Sequence, residues 1–153
     1  MLLSMESRLN NMIDFIKKNA LYIIFAQALV AMLGSLFASE VAGFVPCVLC
    51  WYARIVMYPI VAISIVGILR KDDNVKYYIL PLSIAGMLIS GFHNLLYWHV
   101  IPEAVGPCVA GVSCTTKYIE WFGFITIPFL TFIAFSVITV LAAFFIKNNK
   151  HTA

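Results

Sequence analysis

Seven residues of this sequence combine side chains and spacings suited to chemistry: Cys47, Cys50, Cys108 and Cys114, the cation Arg54, and the imidazoles of His93 and His99. A bridge across Cys47-Val48-Leu49-Cys50 closes almost no loop, so it constrains the unfolded chain far less than a long-range disulfide would. Such a pair is a poor staple. It suits a cycle between thiol and disulfide, whose rate depends on stabilising the thiolate. Two neighbours favour that thiolate. Pro46 suits the first turn of a helix, which puts the pair at the positive end of the helix dipole, and Arg54 follows Cys50 by four residues, so that Cys47, Cys50 and Arg54 share a face. Cys108 and Cys114 lie close together in a stretch containing Gly106, Pro107, Gly111 and Ser113. Four cysteines allow three connectivities, and nearness in sequence favours Cys47 with Cys50 and Cys108 with Cys114. Two such pairs also make tetrahedral zinc sites, but a structural zinc needs neither the arginine nor a place in a membrane, so no metal is expected.

His93 and His99 fall in G-F-H-N-L-L-Y-W-H-V-I-P. A neutral imidazole can donate to or accept from a quinone or carboxyl oxygen, and histidine is rare on a lipid-facing surface. The bland alternative for each is helix packing. Arg54 has one too: about 12 Å below Pro46, its side chain is long enough to snorkel to the headgroups. Against that, an ionisable group inside a span is a functional candidate by default, and this one is aligned with the cysteine pair. Trp51, Tyr52, Tyr97, Trp98 and Trp121 read as an interfacial aromatic belt, and Gln27 and Glu40 are left without a role.

The elements that position these residues follow from composition. The chain has 153 residues, 63% apolar and 11% charged, and a mean hydropathy of +0.97, whereas soluble chains are roughly 25% charged. This is an all-α integral membrane protein, because a bilayer core needs ~20 apolar residues per helical crossing and lipid leaves no backbone group unpaired. The runs predict a single domain over 1–153 that is a four-helix bundle. Its spans fall at about 20–39, 47–69, 77–101 and 121–146, with outer loops at 40–46 and 102–120. Pro102 is expected to end the third span, and Pro128 to be tolerated inside the fourth. There is no room for a separate soluble catalytic domain, and the lysines and arginines form no basic block, which excludes nucleic acid as a partner.

Eight cations, Arg8, Lys17, Lys18, Arg70, Lys71, Lys76, Lys147 and Lys150, fall on one side of these spans, and only Arg54 and Lys117 on the other. The positive-inside rule then puts both termini in the cytoplasm and all four cysteines at the outer surface, where thiols tend to become disulfides. Val41-Ala42-Gly43 offers a signal-cleavage alternative, but the first apolar run is longer than a signal peptide's and reads as an uncleaved anchor.

Pro46-Cys47-Val48-Leu49-Cys50 followed by Tyr52 and Arg54 resembles the P-C-V-L-C-x-Y-x-R signature of the disulfide bond formation protein B (DsbB) family. Tyr97-Trp98-His99 resembles the family's Y-x-H segment, and Cys114 with the later W-F-G-F-I-T-I-P resembles the opening of its fourth span. The likeness covers Ala20 to Ile146. It implies a bacterial membrane oxidoreductase that reoxidises an extracytoplasmic DsbA-like thioredoxin-fold thiol oxidase and passes the electrons to a membrane quinone. Carried over by residue, the partner's thiolate attacks Cys108, Cys114 is freed to attack Cys47, and Cys50 is released against the quinone, with Arg54 and His99 or His93 as quinone-binding groups. Five residues between Cys108 and Cys114 resemble the compact Gram-positive BdbC-type branch, which suggests menaquinone over ubiquinone. The reading from another class is a non-enzymatic tetraspan scaffold braced by two permanent outer disulfides.

Overall fold

A computed structural model of the chain describes residues 2–102, 106, 113–115 and 126–149. Cys108, Lys117, Glu103, Glu120 and Trp121 lie outside the described residues, as does much of the loop over 102–120. Four long helices make the fold: α1 (Leu2–Leu36), α2 (Val48–Arg70), α3 (Lys76–Tyr97) and α4 (Ile127–Asn149). Each contains a stretch long and apolar enough to cross a bilayer, at Asn19–Glu40, Val48–Arg70, Lys76–Tyr97 and Ile127–Phe144. At 1.5 Å per residue α1 carries on for about 25 Å before its crossing begins.

The helices close into a ring in which α1 packs on α2, α2 on α3, α3 on α4 and α4 back on α1. The seam is built from Leu21, Ile24 and Ala28 of α1, Met57 and Ile60 of α2, Ile79 of α3, and Ala134, Phe135 and Ile138 of α4. The facing lipid side is apolar as well, with Val30, Ile55, Leu69, Leu88 and Val140 exposed. A helix that is hydrophobic all round is what a bilayer requires. The α3–α4 contact is the closest, because Gly86 receives the fully buried ring of Phe135, and a Cβ at that position would collide with it.

Helix ends set the placement of the site. Cys47, in extended conformation with φ −71° and ψ 171°, is the N-cap of α2, so the helix starts at Val48 and Pro46 precedes it instead of opening its first turn. The third helix ends at Tyr97, earlier than the expected Ile101, because His99 adopts the left-handed conformation with φ 55° and its N–H bonds back to the Leu96 carbonyl. Pro128 lies in the first turn of α4, where its missing N–H has no intrahelical acceptor to lose. At its far end α1 widens into a π-turn over Phe37–Val41, with the Ala42 N–H reaching the Phe37 carbonyl at 3.0 Å.

Candidate redox site

The start of α2, the last turns of α3 and the short turn at 113–115 converge at one end of the bundle. As N-cap, Cys47 accepts the Cys50 backbone N–H at 3.4 Å through its sulfur, in the role usually filled by a serine or aspartate oxygen. The Cys50 thiol lies 3.1 Å from the same sulfur, and His93 Nε2 is 3.8 Å away. Three groups therefore surround the Cys47 sulfur. Cys47 precedes the membrane-spanning helix, and the hydrogen bond from the Cys50 thiol holds its own thiol well below the ordinary value, against the opposing effect of burial and with help from His93.

Cys114 stands on the other side of His93. Its carbonyl lies 3.1 Å from His93 Nε2, and the Cys47 sulfur, the Cys114 sulfur and His93 Nε2 all fall within 4.8 Å of one another. Cys47, His93 and Cys114 are 6%, 5% and 3% exposed, so this junction of the two cysteine-bearing segments is closed to bulk solvent. Leu49 and Leu96 wall it, with Ile89, Phe92 and Ile101 around them. Cys50, in contrast, is half-buried. The two segments differ in redox state. Cys47 and Cys50 stand unbonded with their sulfurs 3.1 Å apart, adjacent as the spacing predicts, whereas Cys114 is disulfide-bonded.

Arg54 is turned inward. Its Nε donates to Ser35 Oγ and its Nη2 to the Ser35 carbonyl, both at 2.8 Å, and the guanidinium carbon lies 5.4 Å from the Trp51 ring centroid. The π-turn that begins two residues beyond Ser35 opens the helix end, and the Ser35 carbonyl takes a second side-chain donor there, Ser39 Oγ at 3.3 Å. Arg54 is 8% exposed, so its charge is held between α1 and α2 and does not extend from the surface of the bundle.

The two histidines part company. His93 is buried between Cys47 and Cys114, while His99 is exposed in the turn beyond α3 and makes no described contact with the cysteines or Arg54. Sequence reasoning missed two residues. Ser35 stands out only as a polar interruption of the first span, although a polar residue at the depth of Arg54 is the signal that pairs them. Asn94, 4% exposed, donates through Nδ2 to the Ser90 carbonyl at 2.8 Å and the Pro128 carbonyl at 3.0 Å, tying α3 to the first turn of α4 directly beside His93.

Comparison with known proteins agrees with this geometry. Residues 17–145 match the family described as Disulfide bond formation protein DsbB. Disulfide bond formation protein C of Bacillus subtilis is 50% identical over 130 residues, covering 85% of this chain and 94% of the relative. A probable disulfide formation protein C of Halalkalibacterium halodurans is 46% identical over 122 residues, covering 80% and 89%. A probable disulfide formation protein of Metapseudomonas resinovorans is 39% identical over 124 residues, covering 80% and 86%. No solved structure matches the chain. A tight cysteine pair at a helix start, a further cysteine against it and four membrane helices thus fit the relatives this chain matches: it belongs to the DsbB family of membrane disulfide-generating oxidoreductases, whose electrons pass to a quinone.

Proposed function

We propose that this chain reoxidises an extracytoplasmic DsbA-like thioredoxin-fold thiol oxidase, with Cys108 and Cys114 as the pair the partner meets and Cys47 and Cys50 as the pair that faces the quinone. The observation that carries this reading is the junction at His93, where the Cys47 and Cys114 sulfurs lie within 4.8 Å of each other. A side-chain movement of a few ångströms closes that separation to the roughly 2 Å of an S–S bond.

The partner's thiolate opens the outer disulfide at Cys108 and leaves the Cys114 sulfur as a thiolate. Cys114 attacks Cys47 of the inner disulfide, forming the Cys47–Cys114 bond and expelling Cys50 as a thiolate. The partner's second thiol breaks its bond to Cys108, so that the partner leaves as its disulfide and Cys108 becomes a thiolate; attack by Cys108 on Cys114 then restores the outer disulfide and leaves Cys47 and Cys50 as the dithiol. The two electrons that entered at the outer pair now reside on the inner pair, the combination of free Cys47 and Cys50 with bonded Cys114 described above.

A bound quinone supplies the two-electron, two-proton sink that returns the inner pair to the disulfide. The residues fit such a group. Arg54 uses Nε and Nη2 on Ser35, which leaves Nη1 to donate to an acceptor oxygen, and Cys50 one helical turn away is the more open of the two inner thiols. The Ser35 bonds fix the guanidinium plane, and the apolar wall of Leu49 and Leu96 keeps water from the thiols. His93, touching Cys47 and the Cys114 carbonyl, is placed to hold the proton that moves as those sulfurs exchange. The quinone-contact role also assigned to His99 finds no support in its exposed position. Menaquinone is the proposed acceptor, on the compact spacing of Cys108 and Cys114. The eight-to-two partition of lysines and arginines supports cytoplasmic termini and outward cysteines in a bacterial cytoplasmic membrane.

The test is quinone reduction by purified protein with a reduced thioredoxin-fold oxidase as donor, using menaquinone and ubiquinone analogues. The expected rate vanishes with Cys47→Ser or Cys50→Ser, and a normal rate in either variant refutes the mechanism. Impermeant thiol reagent applied to intact cells after reduction tests sidedness, and labelling only after the membrane is breached overturns it. The tight pair Cys47 and Cys50 at the start of α2, one turn from the buried Arg54, disfavours the scaffold with two permanent disulfides.

A further inference from the structure

The same junction presents a second kind of chemistry that electron transfer does not use. Cys47 Sγ, Cys114 Sγ and His93 Nε2 come from the start of α2, the 113–115 turn and α3, and converge within 4.8 Å of one another. We propose that the fully reduced protein binds one Zn2+ through these three atoms, and that the bound cation locks the inner and outer segments together and halts electron transfer between them.

The ligand chemistry and dimensions agree. Zinc–sulfur bonds of about 2.3 Å and zinc–nitrogen bonds of about 2.0 Å at tetrahedral angles put sulfur and nitrogen about 3.6 Å apart. Cys47 Sγ and His93 Nε2 already stand at 3.8 Å. Contraction of the remaining separations from their 4.8 Å limit to tetrahedral values is at most about 1 Å. Electroneutrality favours the site as well. Two thiolates and a neutral imidazole cancel the charge of a divalent cation, so the assembly can sit among Leu49 and Leu96 without a net buried charge.

Binding releases the Cys47 and Cys114 thiol protons to solvent. The imidazole coordinates as the Nδ1–H tautomer, exchanging its Nε2 contact with the Cys114 carbonyl for the metal. No electron moves. The site is gated by redox state, because the sulfur of Cys114 is committed to a disulfide while the outer pair is oxidised. It assembles only when both pairs are reduced, the condition reached when thiol donors outrun the acceptor. The cation is thus an inhibitor of a stalled enzyme and not a resident cofactor.

The test uses purified full-length protein, chemically reduced or oxidised, titrated with Zn2+ against a chromophoric chelator, with no quinone or oxidase partner present. Its outcome is therefore separate from that of the proposed electron path. The expected result is one zinc per reduced chain and at least tenfold weaker binding to oxidised protein. Cys114→Ser and His93→Ala should each weaken binding to reduced protein by more than about tenfold, since removing a direct ligand exceeds the loss typical of an outer-shell change. Equal affinity in Cys114→Ser and wild type would assign the metal to Cys47 and Cys50 alone and overturn the proposal. Because a variant can misfold, X-ray absorption on the wild-type zinc form provides a second reading. A first shell with sulfur and imidazole scattering supports the site, and sulfur without imidazole refutes it.

Discussion

Arg54 and Ser35 offer a quantitative test of how the guanidinium serves the acceptor. The two hydrogen bonds from Nε and Nη2 to Ser35 are both 2.8 Å long, and hydrogen bonds from charged donors contribute about 1.5–3 kcal/mol each. Ser35→Ala removes the hydroxyl acceptor but keeps the carbonyl, so the guanidinium stays tethered at one edge and gains rotation at the other. If half of one such bond serves orientation, the loss is about 0.7–1.5 kcal/mol, or about three- to tenfold in kcat/KM for quinone. Arg54→Lys keeps the charge but gives up the planar fork, because an ammonium cannot hold both Ser35 acceptors in that geometry and still face an acceptor oxygen. The expected cost is about tenfold. Arg54→Ala loses the cation altogether, at about a hundredfold if one charge-assisted bond to the acceptor near 2.7 kcal/mol is lost. The assay is quinone reduction at saturating thiol donor with quinone varied, so that KM and kcat are read separately. Oxidation of the donor by the outer pair, followed in a single turnover, should be unchanged in all three variants. Wild-type quinone kinetics in Arg54→Ala would return the residue to a snorkelling role. A Ser35→Ala variant as slow as Arg54→Ala would show that Ser35 supports the fold and does not merely orient the cation.

Three further outcomes follow from the geometry. A Cys47 thiol held below its ordinary value is thiolate above that lowered value, so in reduced protein iodoacetamide modification of Cys47 should fall little between about pH 8 and pH 6, and a tenfold drop per unit refutes the lowering. Gly86→Leu should destabilise the α3–α4 contact by several kcal/mol, since Phe135 fills the space a side chain needs, and an unchanged melting temperature in detergent would contradict that packing. Asn94→Ala removes donors to the Ser90 and Pro128 carbonyls, and about 1–3 kcal/mol of stability should go with them; thermal unfolding checks this, and wild-type stability would mean that the tie is not needed.

The architecture was legible because a bilayer simplifies the problem. Every backbone group must be satisfied within the chain, so apolar runs of sufficient length can only be helices, and four of them with short connections leave little freedom. Helix ends were less legible. Nothing in Y-W-H-V-I-P specifies that His99 takes a positive φ and stops α3 at Tyr97, since the left-handed turn depends on how Trp98 and the following chain meet α4. Trp98 and Phe129, with ring centroids 6.3 Å apart, mark that meeting. For the site, spacing along one helix identified Cys47, Cys50 and Arg54, because i, i+3 and i+4 relations are local. The partners that complete their roles come from other helices: Ser35 from α1 and His93 from α3, the latter beside the Asn94 tie to α4.

Depth is the variable that links those partners, and it explains why His93 and not His99 lies against the cysteines. Cys47 caps α2, and the imidazole that comes within 3.8 Å of its sulfur belongs to His93, four residues before the end of α3, so α3 runs on for one turn past the level of the site. His99 lies two residues beyond α3 and therefore above that level, exposed in the turn. Moving the imidazole one turn along α3, as in the double substitution His93→Leu with Tyr97→His, should thus fail to restore a rate lost in His93→Leu, because residue 97 lies about 6 Å higher and cannot reach both the Cys47 sulfur and the Cys114 carbonyl. Recovery in that variant would mean that any nearby base suffices and that contact with both cysteine segments is incidental. Failure of rescue, with the single variant still folded and still binding the thiol donor, would tie the proton transfer to the position between the two sulfurs.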